Sequence, residues 1–404
     1  MPMRLRGGFA VACAIAAFVP PATEAQMPSD FDRKWSEARS FFRDHLEEQQ
    51  MVGGSLGLFR GTEPLAQEFY GWADLDEKRG IDADTIFHWG SITKTLTGIA
   101  ILQLRDQGLL SLDDPVVDHL PELRAVHNPF GDIRDITIRH VMTHSAGFRA
   151  SSWPWGGGEP WHPFEPTEWS QLVAMFPYTE IEFEPGSRFS YSNPAIIFLG
   201  RIIEELTGDD YEVYVDKNIL KPLGMYRSYF DRTPRHLLKY RSNNYYVEDG
   251  APKANGLDFD TGITVSNSGL NAPFSDMAQY VGFLIGKGER QSDYEAILAR
   301  SSLEQMWQAV LPMSDPVAPS EAGSDSVGLI FFIPSTQPRI VGHTGSQNAF
   351  NAFLYVDIDG GTAAVAAFNS EGVRKRDGSR RPDSSATLNA VRARIFDEIF
   401  PLFR

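Results

Sequence analysis

The strand signals of this chain sit at its two ends, and that placement limits the folds open to it more than any other feature. Near the start, Gly54 to Arg60 and Leu65 to Gly71 are short apolar runs that turn at Gly61-Thr62-Glu63-Pro64. Near the finish, Val327 to Ile333, Arg339 to Gly342, Ala349 to Asp357 and Thr362 to Phe368 read the same way, and Asp359-Gly360-Gly361 joins the last two as a hairpin. Between these groups strand signals nearly vanish. Helical spacing marks Ser91 to Leu109, with apolar residues at Ile92, Leu96, Ile99 and Leu102, and then Asn193 to Leu206, Ser275 to Ile285 and Leu303 to Val310. Asp32 to Gln50 and Ala386 to Phe400 predict a helix at either end. The expected class is α/β, of the α+β kind: a sheet lobe built from about residues 26–110 and 326–404, flanked by helices, with a mainly helical lobe of about 111–325 inserted. Together they form one domain over 26–404 with a cleft between its lobes.

A chain that is 42% hydrophobic and 12% aromatic is far from a disordered composition. Its first 25 residues read as a cleavable signal peptide: Arg4 and Arg6, the apolar run Phe9 to Val19, then Ala22-Thr23-Glu24-Ala25. An exported protein, periplasmic or secreted, is expected. The single cysteine, Cys13, falls inside that segment, so disulfides and thiol catalysis are excluded for a mature chain. Removing Arg4, Arg6 and Glu24 takes away +2 and −1, moving the formal charge from −16 to −17. That charge argues against nucleic acid or anionic membrane partners. No later stretch approaches the ~20 apolar residues of a membrane span. Oligomeric state is left open.

Three short motifs carry chemistry. In Ser91-Ile92-Thr93-Lys94 the serine and lysine share a helix face, about 4.5 Å apart along the axis. A lysine activates a serine hydroxyl only if its pKa falls from about 10.4 toward 7, a shift worth about 4 kcal/mol that burial away from carboxylates can supply. The competing reading is a capping Ser and a surface Lys. In Tyr191-Ser192-Asn193, Asn193 fits a helix N-cap with Pro194 in the first turn, and the Tyr191 phenol lies where a helix start favours phenolate. Tyr191 is thus a candidate proton shuttle, or else a core tyrosine. In His343-Thr344-Gly345, at the end of the strand Arg339 to Gly342, Gly345 lets a substrate approach the strand edge, and the amides of Ser91 and Ser346 can form an oxyanion hole. His343 alone also fits a structural histidine.

The order Ser-x-x-Lys, Tyr-x-Asn, His-Thr-Gly resembles the set used by penicillin-binding proteins and β-lactamases. The tyrosine makes the chain similar to class C β-lactamases, D-alanyl-D-alanine carboxypeptidases, D-aminopeptidases and β-lactamase-fold esterases. Phe87-His88-Trp89-Gly90, Thr143-His144-Ser145-Ala146-Gly147, Leu223-Gly224-Met225 and Ser268-Gly269-Leu270 extend the likeness to roughly Gly54 to Phe400. It implies a β-lactamase/transpeptidase-like fold with an antiparallel sheet, and an acyl-enzyme cycle with neither metal nor organic cofactor. Ser91 would attack a carbonyl while Lys94 and Tyr191 move the proton. Asn193 would hold Lys94 and the substrate amide, and His343, Thr344 and Gly345 would face a small ester, peptide or β-lactam. Many β-lactamases carry Lys where this chain has His343, which shifts the expectation toward esters and peptides. Ala146 also departs from the Ser often found before Gly147.

Three further readings accompany this one. Trp153, Trp155, Trp161 and Trp169, with Gly156-Gly157-Gly158, could wall an acyl pocket or simply pack. His140 and His144, four apart on an expected helix, could share a metal. The same fold could also serve as a penicillin-binding or sensor module that acylates without turning over.

Overall fold

The computed structural model describes residues 27–150, 166–256, 260–286, 290–313, 326–334, 339–375 and 378–404. Residues 1–25, read above as a signal peptide, Gly156-Gly157-Gly158, Trp153, Trp155 and Trp161 lie outside them. Among the described residues the main sheet has nine antiparallel strands, in the order Arg79–Gly80, Glu63–Asp74, Gly53–Arg60, Thr362–Phe368, Phe350–Asp357, Ile340–Gln347, Phe332–Ile333, Ser326–Val327, Leu311–Pro312. The two ends of the chain meet at its centre, where Gly54 lies opposite Phe368 and Arg60 opposite Thr362.

Both faces of this sheet are covered, and the sequence shows why. Phe350–Asp357 is buried at every position, as a nearly continuous apolar strand must be. Its Phe353 and Tyr355 join Leu56 and Leu58 against the helices Phe31–Gln49 and Ser384–Arg394. Its Leu354 and Val356 point the other way, into the larger core shared with the helices Thr93–Asp106 and Phe274–Ile285. The first helix turns Phe31, Trp35, Ala38, Phe42 and Leu46 inward at helical spacing.

Several elements differ from their expectation. Val327 to Ile333 is a tight hairpin of two short strands, not one strand, because Ile330 takes a left-handed φ of 73° and reverses the chain. The middle of the chain is not free of strands. Tyr245–Glu248 and Ala251–Ala254 pair beside Ser370–Gly372, while Leu270–Pro273 lies between Ile86–His88 and Tyr229–Phe230. These strands of two to four residues are too short for alternation to register. The strand expected to stop at Gly342 continues through His343-Thr344-Gly345 to Gln347. It then turns back through Asn348 and Ala349, at φ 48° and 64°, which is the backbone of a two-residue hairpin loop. No helix among the described residues is long and apolar enough to cross a membrane.

Candidate active site

Ser91 is placed by a small sheet and a sharp corner. Ile86–His88 pairs with Leu270–Pro273, and Trp89 fixes its exit by donating from Nε1 to the Ala272 carbonyl at 2.9 Å. Gly90 then turns at φ 49°, and a single 3-10 turn, Gly90–Ile92, carries Ser91 into the helix Thr93–Asp106. Thr93 to Leu104 of that helix is buried at every position, Lys94 included.

Lys94 is 0% exposed, its Nζ lies 2.9 Å from Ser91 Oγ, and it donates to the Asn267 carbonyl at 2.9 Å. Burial holds its pKa well below the ordinary lysine range, with no carboxylate beside it among the described residues to restore the charge. A neutral amine here can donate to Asn267 and still offer its lone pair to the Ser91 hydroxyl. The surface-lysine reading is thereby displaced.

Tyr191, just ahead of the helix Asn193–Thr207, closes this group, with Lys94 Nζ 4.9 Å from its ring centroid. Asn193 is not the N-cap. Ser192 takes that place in extended geometry, its Oγ accepting from the Ala195 amide at 3.3 Å, which leaves the Asn193 side chain free of capping. Asn193 instead lines a cavity of about 180 Å³ with Ser91, Thr264, Asn267, Ser268, Ser346 and Gln347. Its buried Oδ1 has no partner among the described residues, and the lysine contact expected of it is made by the Asn267 carbonyl.

The third motif is arranged differently from its expectation. Neighbouring strand residues point to opposite faces, so His343 and Thr344 cannot present their side chains alike. His343 is 1% exposed, stacks on Phe332 at 4.2 Å and donates from Nδ1 to the Thr344 carbonyl at 2.6 Å. Burial first, then the nearby Lys94 amine, pushes it down to about 3, so it is a neutral group at the back of the site. Thr344 is half-buried, and opposite it stands Phe353. Gly345 is required by the backbone of the nucleophile turn: a Cβ there would lie 1.9 Å from the Trp89 carbonyl oxygen and 3.2 Å from the Ser91 nitrogen. The Ser346 nitrogen in turn lies 2.9 Å from where a Gly90 Cβ would stand, so two side-chain-free positions bring the Ser91 and Ser346 amides to one corner of the cavity.

Two residues missed in the sequence and one read there only as a metal ligand also stand at the site. The Asn267 carbonyl steadies Lys94, Gln347 lines the cavity while bonding His88 at 3.0 Å, and His144 stacks on Tyr191 at 4.3 Å. Only Thr143-His144-Ser145 and Ser268-Gly269-Leu270 hinted at these regions. The metal reading loses its geometry: the helix Ile138–Met142 ends before His144, which turns at φ 51°, so His140 and His144 do not face one another across a helical turn. Trp169 packs edge-on against Phe176 and Phe198 in the core.

Three buried histidines make stability pH-dependent. His88 is pushed down to about 4 and His343 to about 3, and His144 lies well below its ordinary value, each chiefly by burial. Below about 6.5 the unfolded chain binds protons that the folded chain refuses, so stability present above that pH is lost on acidification. On the order of 2 kcal/mol is expected to be gone at pH 5 for each of His88 and His343, with His144 acting in the same direction. Urea unfolding at pH 7 and pH 5 measures it, and equal midpoints would contradict it.

Comparison with known proteins places the chain by family and by fold. The family model Beta-lactamase matches residues 38–386. Protein flp of Staphylococcus aureus is 24% identical over 332 residues, covering 82% of this chain and 62% of flp, so the chain spans under two thirds of that relative. Esterase EstB of Burkholderia gladioli is 32% identical over 196 residues, 46% of this chain and 48% of EstB. Among solved structures, the octameric penicillin-binding protein homologue from Pyrococcus abyssi superposes with a TM-score of 0.72 at 26% identity, over 90% of this chain and 78% of that one. A D-stereospecific amidohydrolase from Streptomyces sp. gives 0.63 at 22% identity, over 88% and 97%, a likeness of fold. By family match, fold and sheet topology together, this chain belongs to the beta-lactamase family.

Proposed function

We propose that this chain is an exported serine hydrolase that cleaves small esters or amides through an acyl-enzyme on Ser91. The observation that carries the reading is the Lys94 amine, fully buried and held neutral, 2.9 Å from the Ser91 hydroxyl. In the cycle it supports, Ser91 Oγ bonds to the substrate carbonyl carbon as its proton passes to Lys94 Nζ. The amides of Ser91 and Ser346 take the oxyanion, and Tyr191 relays the proton to the departing alcohol or amine. Water then attacks the acyl carbon, the proton returns by the same groups, and acid and free Ser91 are restored. Export rests on the charged, apolar and small-residue pattern of residues 1–25.

Ester or amide is favoured over β-lactam because, among the described residues, the third motif places His343 rather than a fixed cation on the strand side. His343 is neutral and turned inward against Phe332. EstB is named an esterase, and one neighbour in fold is a D-stereospecific amidohydrolase, which supports the same preference. The purified chain is expected to hydrolyse p-nitrophenyl acetate or butyrate faster than nitrocefin. The reverse ranking in steady-state assays would overturn the substrate preference.

A further inference from the structure

His144 grips the chain on both sides of Tyr191. The Ser190 amide donates to the His144 carbonyl at 2.7 Å, the Ser192 amide donates to His144 Nδ1 at 3.2 Å, and the imidazole stacks on the phenol ring between them at 4.3 Å and 26°. One residue therefore fixes the backbone before the tyrosine, the backbone after it, and one face of the ring. His144 does so from a left-handed backbone, φ 51°, uncommon for a residue with a Cβ, and from full burial, 1% exposed.

The bond to Ser192 also sets the proton. Nδ1 must be bare to accept an amide, so the imidazole carries its hydrogen on Nε2 and stays neutral. Protonating Nδ1 would turn an acceptor into a donor facing the Ser192 N–H. Burial, helped by the Lys94 amine and His343, keeps that proton away. Phe332 and His343 also pack against Tyr191, at ring distances of 6.4 and 6.3 Å, looser than the His144 stack. The tight contact is the one that can hold the ring beside Lys94.

We propose that His144 is a positioning residue for the proton relay: its neutral imidazole and its carbonyl hold Tyr191 at the distance from Lys94 at which the phenol can exchange a proton. This rests on Tyr191 acting in the relay, as proposed above. A misplacement of about 1 Å at such a group costs on the order of 10²-fold in rate.

The test is a double-mutant cycle on p-nitrophenyl butyrate hydrolysis with kcat and KM separated. His144→Ala is expected to lower kcat about 10²-fold with KM little changed. His144→Asn is expected to recover most of that loss, because asparagine tolerates a left-handed backbone and its Oδ1 can accept the Ser192 amide. This variant also keeps the proposal testable if the alanine variant folds poorly. In a Tyr191→Phe background, His144→Asn and His144→Ala are expected to leave kcat where the single phenylalanine variant has it. Full multiplication of the two losses, or an Asn variant no better than Ala, would overturn the positioning role. A Tyr191→Phe enzyme with unaltered kcat would instead reject the relay itself.

Discussion

Ser91→Ala is expected to lower kcat/KM for p-nitrophenyl butyrate by about 10⁴-fold or more, leaving the melting temperature nearly unchanged. The alanine removes the atom that forms the acyl bond while leaving the Ser91 and Ser346 amides in place. Residual hydrolysis of about 10³-fold over water is therefore expected from the oxyanion hole and binding alone. Stability should hold because Ser91 is only half-buried and Lys94 keeps its bond to the Asn267 carbonyl. Steady-state kinetics and a thermal melt on the same preparation measure both. Undiminished activity in the alanine variant would reject Ser91 as the nucleophile.

The second large effect belongs to Lys94. Lys94→Met is expected to lower kcat/KM by about 10³-fold, within the range a general base contributes, and to raise the melting temperature at neutral pH. A fully buried lysine with a depressed pKa opposes folding, because the unfolded chain holds a proton that the folded chain gives up. The sign follows from that difference. Stability of the native chain climbs with pH toward the unfolded lysine value near 10.4, and the methionine variant lacks this climb. Against the gain stands the Asn267 carbonyl, left without its donor at a cost of about 1 kcal/mol. Each pKa unit of depression is worth about 1.4 kcal/mol, so a shift of more than a unit decides the balance for methionine. A variant both inactive and less stable at pH 7 would contradict the neutral, strained amine.

The parts of this arrangement that were legible in the sequence are those set by local spacing. Ser91 and Lys94 sit three apart, and the helix that carries them is a period of apolar residues that reads directly from the chain. Phe31–Gln49, Gly53–Arg60 and Thr362–Phe368 were legible for the same reason, as was the sheet built from both ends. What stayed hidden depends on distant segments meeting. Nothing near Gly345 announces that its missing side chain makes room for the Trp89 carbonyl, and nothing near Asn267 announces that its carbonyl faces Lys94. The inward turn of His343 follows from the pleat once the strand is known to run to Gln347, but an expected end at Gly342 concealed it. The hairpin at Asn348 and Ala349 was missed because alanine is an unfavoured residue at positive φ.

The helix cap shows how one residue of register decides which side chain is left for the cavity. With Asn193 read as the cap, its side chain would be spent on the helix amides. With Ser192 in that place, Asn193 is left to face the cavity beside Ser91 with an unpartnered carbonyl oxygen. A substrate N–H is the complement such an oxygen needs; an amide supplies one and a simple ester does not.

The most direct measurement is the rate at which a fluorophosphonate modifies the chain across pH, with the labelled residue found by peptide mass spectrometry. If a neutral Lys94 activates the serine, one label adds at Ser91, its rate rises with pH through a single ionisation well below the ordinary lysine range, and Lys94→Met abolishes that limb. Labelling at another residue, or a rate that climbs only near pH 10, would contradict the account.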